Sequence, residues 1–423
     1  MLLANILVPV VLLLIGVGFL YAAAQLPAGP VHERLVTAQA EGRLWTQEYS
    51  VVRVGLIDVT LVDGWSECTA LGQALSEASL PFSERPNGQF DPDAGSCRAL
   101  NDALVTPLTS FEYPRFYHGA SALIRVALQV VNLEWLRFIV TLVILALVGV
   151  ICALIWRDSR WLSVGLAVFF LLLTDTAYQG LSVSHGMSTA VGIIGVIATL
   201  LVARRIPKLV PGAAAAAGVL YALVAQLYVP VEFAILTAVA VMAVALGDTT
   251  TRVRWLRLGA LSSVTWLAGY AFAMIVRFIW IALAAGLDAS TSEGSTAAGT
   301  RLTSDLLQPI RTVVWNLISI QMLEWKVRML GLVLLIGLGA YILGVARRWA
   351  LGWPEVLPVL VPIALAALWL QTFGGHNGHG WVVNVLYAVL MNVYFICVLN
   401  LAIARDDETV GLPARGGMAS PDQ

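Results

Sequence analysis

Charge is what this sequence lacks most. Only 12% of its 423 residues are Asp, Glu, Lys or Arg, while 59% are hydrophobic. Soluble domains carry about 25% charged residues, so the chain belongs in a bilayer. Its net charge of −1 gives no electrostatic hold on nucleic acid. Cysteine is scarce as well. The four residues form no Cys-x-x-Cys pair, which excludes a disulfide scaffold and a thiolate metal site of that spacing. Cys152 and Cys397 lie within apolar runs and read as small buried hydrophobes. Cys68 and Cys97 share one polar loop and can pair if that loop faces an oxidising compartment. Walker A, Gly-x-Gly-x-x-Gly after a strand, His-Glu-x-x-His and Gly-x-Ser-x-Gly are all missing. With no nucleotide motif, an outward-facing site would have to receive an activated group on a lipid.

What is present is apolar length. A hydrocarbon core of about 30 Å needs about 20 apolar residues of helix. Ten stretches approach this: 4–24, 137–156, 161–174, 186–203, 209–229, 231–247, 257–279, 329–346, 355–372 and 382–404. The expected fold class is an all-α polytopic membrane protein of about ten transmembrane helices, with a long extracytoplasmic first loop. Residues 306–327 mix apolar side chains with Gln308, Pro309, Arg311, Gln321, Glu324 and Lys326, and read as an interfacial or re-entrant segment. Ala22-Ala23-Ala24-Gln25 resembles a cleavage site. The first span has no basic leader and a long apolar run, which favours a retained anchor. Four parts follow: anchor 1–25, loop 26–136, multi-span domain 137–404 and a polar tail 405–423 expected to be disordered.

Basic residues set the orientation. Arg157 and Arg160, then Arg204, Arg205 and Lys208, then Arg252, Arg254 and Arg257, then Arg347 and Arg348, and Arg405 all fall in one alternating set of loops. The other short loops (175–185, around Val229–Val231, and 373–381) carry no Lys or Arg. The first set is expected to be cytoplasmic, with both termini, and the loop 26–136 to face outward.

The polar clusters then share the outer face. Asp58, Asp63 and Glu67 lie in the first loop, where a carboxylate can act as a general base or hold a divalent cation. Solvated loop residues are the plainer reading of that spacing. Tyr113-Pro-Arg-Phe-Tyr-His118 offers Arg115, whose planar fork suits phosphate, beside the aromatic Tyr117. An interfacial anchor is the plainer reading there. Ala120–Val131 is too interrupted to span and suits a helix at the membrane surface. Glu48–Val62 alternates weakly, as a short strand or the stem of an amphipathic helix. Gly374-Gly-His376-Asn-Gly-His379-Gly-Trp381 is a glycine-rich bend with two histidines and no acidic or cysteine partner beside them. His185 and Asp175 bracket another outer turn, where turn and capping roles compete with function. Glu232 follows Pro230 at the outer surface. Arg277 falls at the outer headgroup level, where a charge either snorkels or functions.

Taken together, this pattern resembles the GT-C superfamily of polytopic glycosyltransferases. More narrowly, Arg115-Phe-Tyr-His118-Gly119 resembles the R-[YF]-[WY]-H-G segment of a group of bacterial GT-C-like membrane proteins. Trp369 with His376-Asn-Gly-His379 resembles the late outer turn of the same group. The resemblance implies a protein of the bacterial cytoplasmic membrane. It would transfer a sugar from a polyprenyl-phosphate donor to an extracytoplasmic glycan, glycolipid or protein. Asp58 or Asp63 would be the catalytic base, and Arg115 and Arg277 would meet the lipid phosphate. Glu67, Tyr117, His118, His185, Glu232, His376 and His379 would contact substrate. No cofactor is firmly implied. The loop lacks an adjacent acidic pair, which leaves a divalent cation an open matter and both aspartates in play. A flippase of lipid-linked glycans and a non-catalytic subunit of an envelope assembly are the rival readings. The scarcity of mid-span charge weighs against transport.

Overall fold

The computed structural model describes residues 2–47, 49–54, 57–75, 88–89, 96–106, 111–112, 117–174, 176, 178–225, 230–248, 251–285, 321–346, 348–372 and 383–411. Five helices come first: α1 (Leu2–Ala24), α2 (Gly29–Ala40), α3 (Gly64–Leu75), α4 (Ser96–Val105) and α5 (Gly119–Ala127). Then follow α6 (Leu133–Trp156), α7 (Arg160–Val168), α8 (Val183–Arg205), α9 (Val210–Val224), α10 (Pro230–Met242) and α11 (Arg252–Ala285). The chain ends in α12 (Gln321–Ala346), α13 (Trp353–Thr372) and α14 (Val383–Gly411). Among the described residues, seven helices are long and apolar enough to cross a membrane, and the chain is a helical membrane protein. Shorter apolar helices at Arg160–Leu173, Pro230–Leu246 and Leu330–Ala346 coincide with the other expected spans. The expected interfacial segment 306–327 enters α12 at Gln321, and its earlier part lies outside the described residues.

The apolar patterns explain the layering. In α6, Asn132 caps the helix by accepting from the Trp135 N–H at 2.9 Å. Leu133, Leu136, Val140, Ile144, Val148, Ile151 and Ile155 are buried, a stripe at helical spacing. The opposite face exposes Phe138, Ile139, Leu142, Val143 and Val150, which in water would be a large apolar patch and in lipid is the solvent-matched surface. Every residue of α10 is buried, as expected of a helix apolar all round at the centre of a bundle. Beside it, α9 and α11 touch backbone to backbone. A Cβ on Gly218 would lie 2.0 Å from the Trp266 carbonyl oxygen, and one on Gly269 2.0 Å from that of Ala215. Small residues permit this approach, which is how helices associate without a hydrophobic drive.

Side-chain ties sort the polar residues to two ends. At one end Arg204 pairs with Asp158 and Arg252 with Asp406. Asn400 accepts from the Ala350 N–H at 2.7 Å and donates to the Arg348 carbonyl at 3.0 Å. Asn5 bridges α1 to the Lys208 carbonyl and the Gly212 N–H. A cleft lined by Asp158, Arg160, Leu246, Arg405 and Asp406 links these loops.

The other end carries a helical cap built from the first loop. A disulfide joins Cys68 of α3 to Cys97 of α4, as the sequence allowed. Beside it Thr69 donates to Ser96 at 2.8 Å, and Gln39 of α2 donates to Asn101 of α4 at 2.9 Å. Both bridged cysteines are 1% exposed. Replacing both with serine should lower cap stability by about 3 kcal/mol, as for loops of this size. The pairing is checked by denaturing, non-reducing alkylation, which should label only Cys152 and Cys397.

The helix foreseen at Ala120–Val131 is α5, packed beneath the cap against α1, α3, α8 and α9. Gly119, Ala120, Ser121, Ile124 and Arg125 are buried. Ser121 donates to Gln73 at 2.6 Å, and Arg125 donates to the Leu26 carbonyl at 3.0 Å from Nε. A Cβ on Gly119 would stand 2.3 Å from the Leu223 carbonyl oxygen, so glycine is what lets α5 enter.

Among the described residues, β structure is confined to two antiparallel ribbons. β1 (Tyr49–Val54) pairs with β2 (Ile57–Asp63), and β3 (Gly88–Gln89) pairs with β4 (Phe111–Glu112). The described residues of the weakly alternating Glu48–Val62 are thus strand rather than helix stem. β2 lies alongside α12 and runs directly into α3.

Candidate functional site

The ribbon positions the two acidic candidates. Asp58 and Asp63 are five apart, and strict alternation would put them on opposite faces. The register is irregular: Val52 opposes Thr60, yet Arg53 opposes Asp58, so Val59 is an extra residue. Such a bulge resets the alternation. Asp63 lies opposite Tyr49 and Asp58 opposite Arg53. Those partners are four apart on one strand, so both aspartates take positions on one face.

Glu67 stands apart from this ribbon, in the first turn of α3. Its side chain is fully buried. Arg137 donates to it from Nη2 at 2.8 Å and from Nε at 3.1 Å, and Trp45 Nε1 donates to its other oxygen at 3.0 Å. The Arg137 guanidinium also lies 5.4 Å from the centre of the Trp45 ring and donates to the Arg43 carbonyl at 2.9 Å. Both Glu67 oxygens are thereby occupied in docking the cap on α6. Arg137 and Trp45 were not singled out by sequence, because nothing local marks a partner so far along the chain.

Tyr117 and Arg277 do meet. The Tyr117 hydroxyl donates to the Ala273 carbonyl at 2.7 Å, and the Arg277 guanidinium lies 5.4 Å from the centre of its ring. Burial pushes the Tyr117 phenol up to about 12, against an opposing pull from Arg277, so it stays a donor at neutral pH. Arg277 is 6% exposed and sits beneath an aromatic lid rather than snorkelling. His118 is buried with φ 56°, a left-handed conformation uncommon outside glycine. It turns the chain into α5 and lines a small void of about 20 Å³ with Gln73, Ser121 and Arg125.

Glu232 occupies the first turn of α10, 7% exposed. Helix N-termini favour a carboxylate. Asn384, also buried, lies in the first turn of α14, which packs against α10. The ring of Phe233, next to Glu232, packs 5.2 Å from Tyr221. Tyr221 lies 6.4 Å from Tyr270, which is 6.3 Å from Trp369. This aromatic run joins the start of α10 to α11, where Ala273 and Arg277 follow Tyr270. His185 lies half-buried in the first turn of α8 at the same end. Arg115, His376 and His379 lie outside the described residues.

No family model, no curated protein and no solved structure matches this chain. Its function is therefore argued from the site alone. The described residues offer a buried arginine under a phenol, a buried carboxylate at the start of α10 and, on a separate ribbon, two aspartate positions on one face. Among the described residues, no three His, Cys, Asp or Glu side chains gather as a metal site.

Proposed function

We propose that this chain is a membrane glycosyltransferase of GT-C type, moving a sugar from a polyprenyl-phosphate donor to an extracytoplasmic glycan, glycolipid or protein. In this reading all ten apolar helices span the bacterial cytoplasmic membrane. The arginine-rich end and both termini are cytoplasmic by the positive-inside rule, and the cap is outside. One observation carries the reading. The acidic ribbon that runs into the cap, the Tyr117–Arg277 pair and Glu232 in the first turn of α10 all belong to the end opposite the basic loops.

The chemistry then follows from charge. An aspartate of β2 takes the proton of the acceptor hydroxyl. That oxygen bonds to the anomeric carbon, and the anomeric C–O bond to phosphate breaks. The leaving polyprenyl phosphate keeps the electron pair, and Arg115 and Arg277 offset its charge in a site of low dielectric. His118, His185, His376 and His379 position the sugar and phosphate.

The test gives the purified protein long-chain polyprenyl phosphates carrying mannose, glucose, galactose or arabinose, together with glycan acceptors. Release of polyprenyl phosphate from at least one donor is expected. Lipid scrambling with no release from any donor would move the assignment to a transporter.

A further inference from the structure

The basic end of the bundle holds a cleft of about 310 Å³, within the range of small-ligand sites. Its polar wall comes from the turn before α7, the first turn of α7 and the part of α14 around Arg405, and its apolar wall includes Leu246 and Leu401. Two aspartates line it, and each has a counter-charge from outside the cleft. Arg204 pairs with Asp158 and Arg252 with Asp406. The cleft's own arginines, Arg160 and Arg405, are exposed and form no ion pair among the described residues. Positive charge is therefore in excess. Ser159 caps α7 by accepting from the Leu162 N–H at 3.3 Å, so the positive end of that helix faces the same space. Trp161 lines the cleft, and its indole N–H is buried with no hydrogen-bond partner. An indole N–H can only donate, and a buried donor left unmet is destabilising. Trp266 also has an unmet N–H, but it sits in the bundle core and lines none of the described cavities. What marks Trp161 is its place beside unpaired guanidiniums: that of Arg160 lies 5.8 Å from the centre of its ring.

We propose that this cleft binds the phosphate of an anionic phospholipid from the leaflet at the basic end. Arg160 and Arg405 meet the phosphate oxygens, to which a guanidinium fork is matched, and the Trp161 N–H is a third donor. A lipid fits better than a free phosphate because of what adjoins the cleft. Trp161 packs 5.8 Å from Tyr341, which is 58% exposed on α12. Around it α12 turns Leu334, Ile336 and Leu343 outward. A Cβ on Gly337 or Gly344, four residues before Tyr341 and three after, would meet nothing within 4 Å. An acyl chain can therefore run along α12 from a headgroup held at Trp161. Basic pockets between transmembrane helices take anionic headgroups in this way. The walls come from α7, the turn after α10 and α14, so a bound headgroup ties three elements together and stabilises the fold by mass action. The cleft lies at the opposite end from Arg277 and the acidic ribbon, so this site and the transferase reading can fail independently.

Binding of radiolabelled phosphatidylglycerol to the full-length protein, delipidated in a neutral detergent, tests this. Phosphatidylcholine, glycerol 3-phosphate and inorganic phosphate serve as competitors. Wild type should prefer phosphatidylglycerol to phosphatidylcholine and to both free phosphates. Arg160→Gln combined with Arg405→Gln should weaken phosphatidylglycerol binding about tenfold or more, as for loss of charge-assisted hydrogen bonds. Trp161→Phe keeps a ring and removes the donor, and should weaken it about three- to tenfold. Arg254→Gln combined with Arg257→Gln removes the same charge from exposed positions outside the cleft, and should leave the affinity unchanged. In nanodiscs, adding phosphatidylglycerol to phosphatidylcholine should raise the Tm of wild type and not that of the Arg160→Gln, Arg405→Gln protein. Arg160→Gln alone serves where the double variant fails to fold. Equal losses in the two double variants would mean a diffuse basic surface and overturn the cleft. Unchanged binding in Arg160→Gln with Arg405→Gln, or no preference over phosphatidylcholine, would overturn it too. Competition by inorganic phosphate or glycerol 3-phosphate at the lipid's own concentration would overturn the lipid in favour of a free phosphate.

Discussion

Arg137→Met is expected to destabilise the cap by about 3–5 kcal/mol, the range for breaking one side of a buried ion pair. The Glu67 side chain is 0% exposed and Arg137 14%, so water cannot replace the lost partner. The guanidinium is also braced on the Trp45 ring and the Arg43 carbonyl, and methionine keeps part of the packing but none of these donors. Removing both charges is a different perturbation. Arg137→Met with Glu67→Leu should cost less than Arg137→Met alone, because no carboxylate is then stranded. Denaturant unfolding of the three proteins in nanodiscs measures this, with limited proteolysis of the cap to localise the loss. Costs that simply add would mean that the two side chains are not coupled. The consequence reaches the ribbon as well. Asp63 immediately precedes α3, and α3 is held by Glu67 and by the Cys68–Cys97 disulfide. A loosened cap should therefore misplace β2 and slow any reaction that depends on it.

Much of the bundle was legible in the sequence because bilayer crossing needs little beyond apolar length. The ten expected stretches fall on helices, and the loop cysteines pair. What escaped depends on contacts between distant residues. Glu67 reads as a loop acid until Arg137, 70 residues on, closes on it. Tyr117 reads as an interfacial aromatic, yet its hydroxyl reaches a carbonyl 156 residues away. α5 reads as a surface helix because Arg125 interrupts it. The Leu26 carbonyl that satisfies that guanidinium carries no sequence signal, and neither does the shallow space that Gly119 fills. The aspartate spacing misleads in a simpler way, since five residues imply opposite faces until the bulge at Val59 is known.

That bulge leads to the last expected result, and it separates the two aspartates. Asp63→Asn is expected to reduce sugar transfer by about 100- to 10,000-fold, the usual contribution of a general base, and Asp58→Asn to reduce it much less. Both residues take positions on one face of the ribbon, so access alone does not choose between them. Their register partners do. The register sets an arginine position, Arg53, across from Asp58 and a tyrosine position, Tyr49, across from Asp63. Asp63 has no charged residue across from it, and it adjoins a helix fixed to the bundle, which supplies the positional accuracy that proton transfer requires. The same donor panel reads the outcome, with kcat/KM followed against pH. In Asp63→Asn the acid limb of the profile should disappear along with most of the rate, whereas Asp58→Asn should keep that limb. A collapse confined to Asp58→Asn would exchange the two roles. Full activity in both variants would remove the ribbon from the chemistry and leave Glu232 as the carboxylate to examine next.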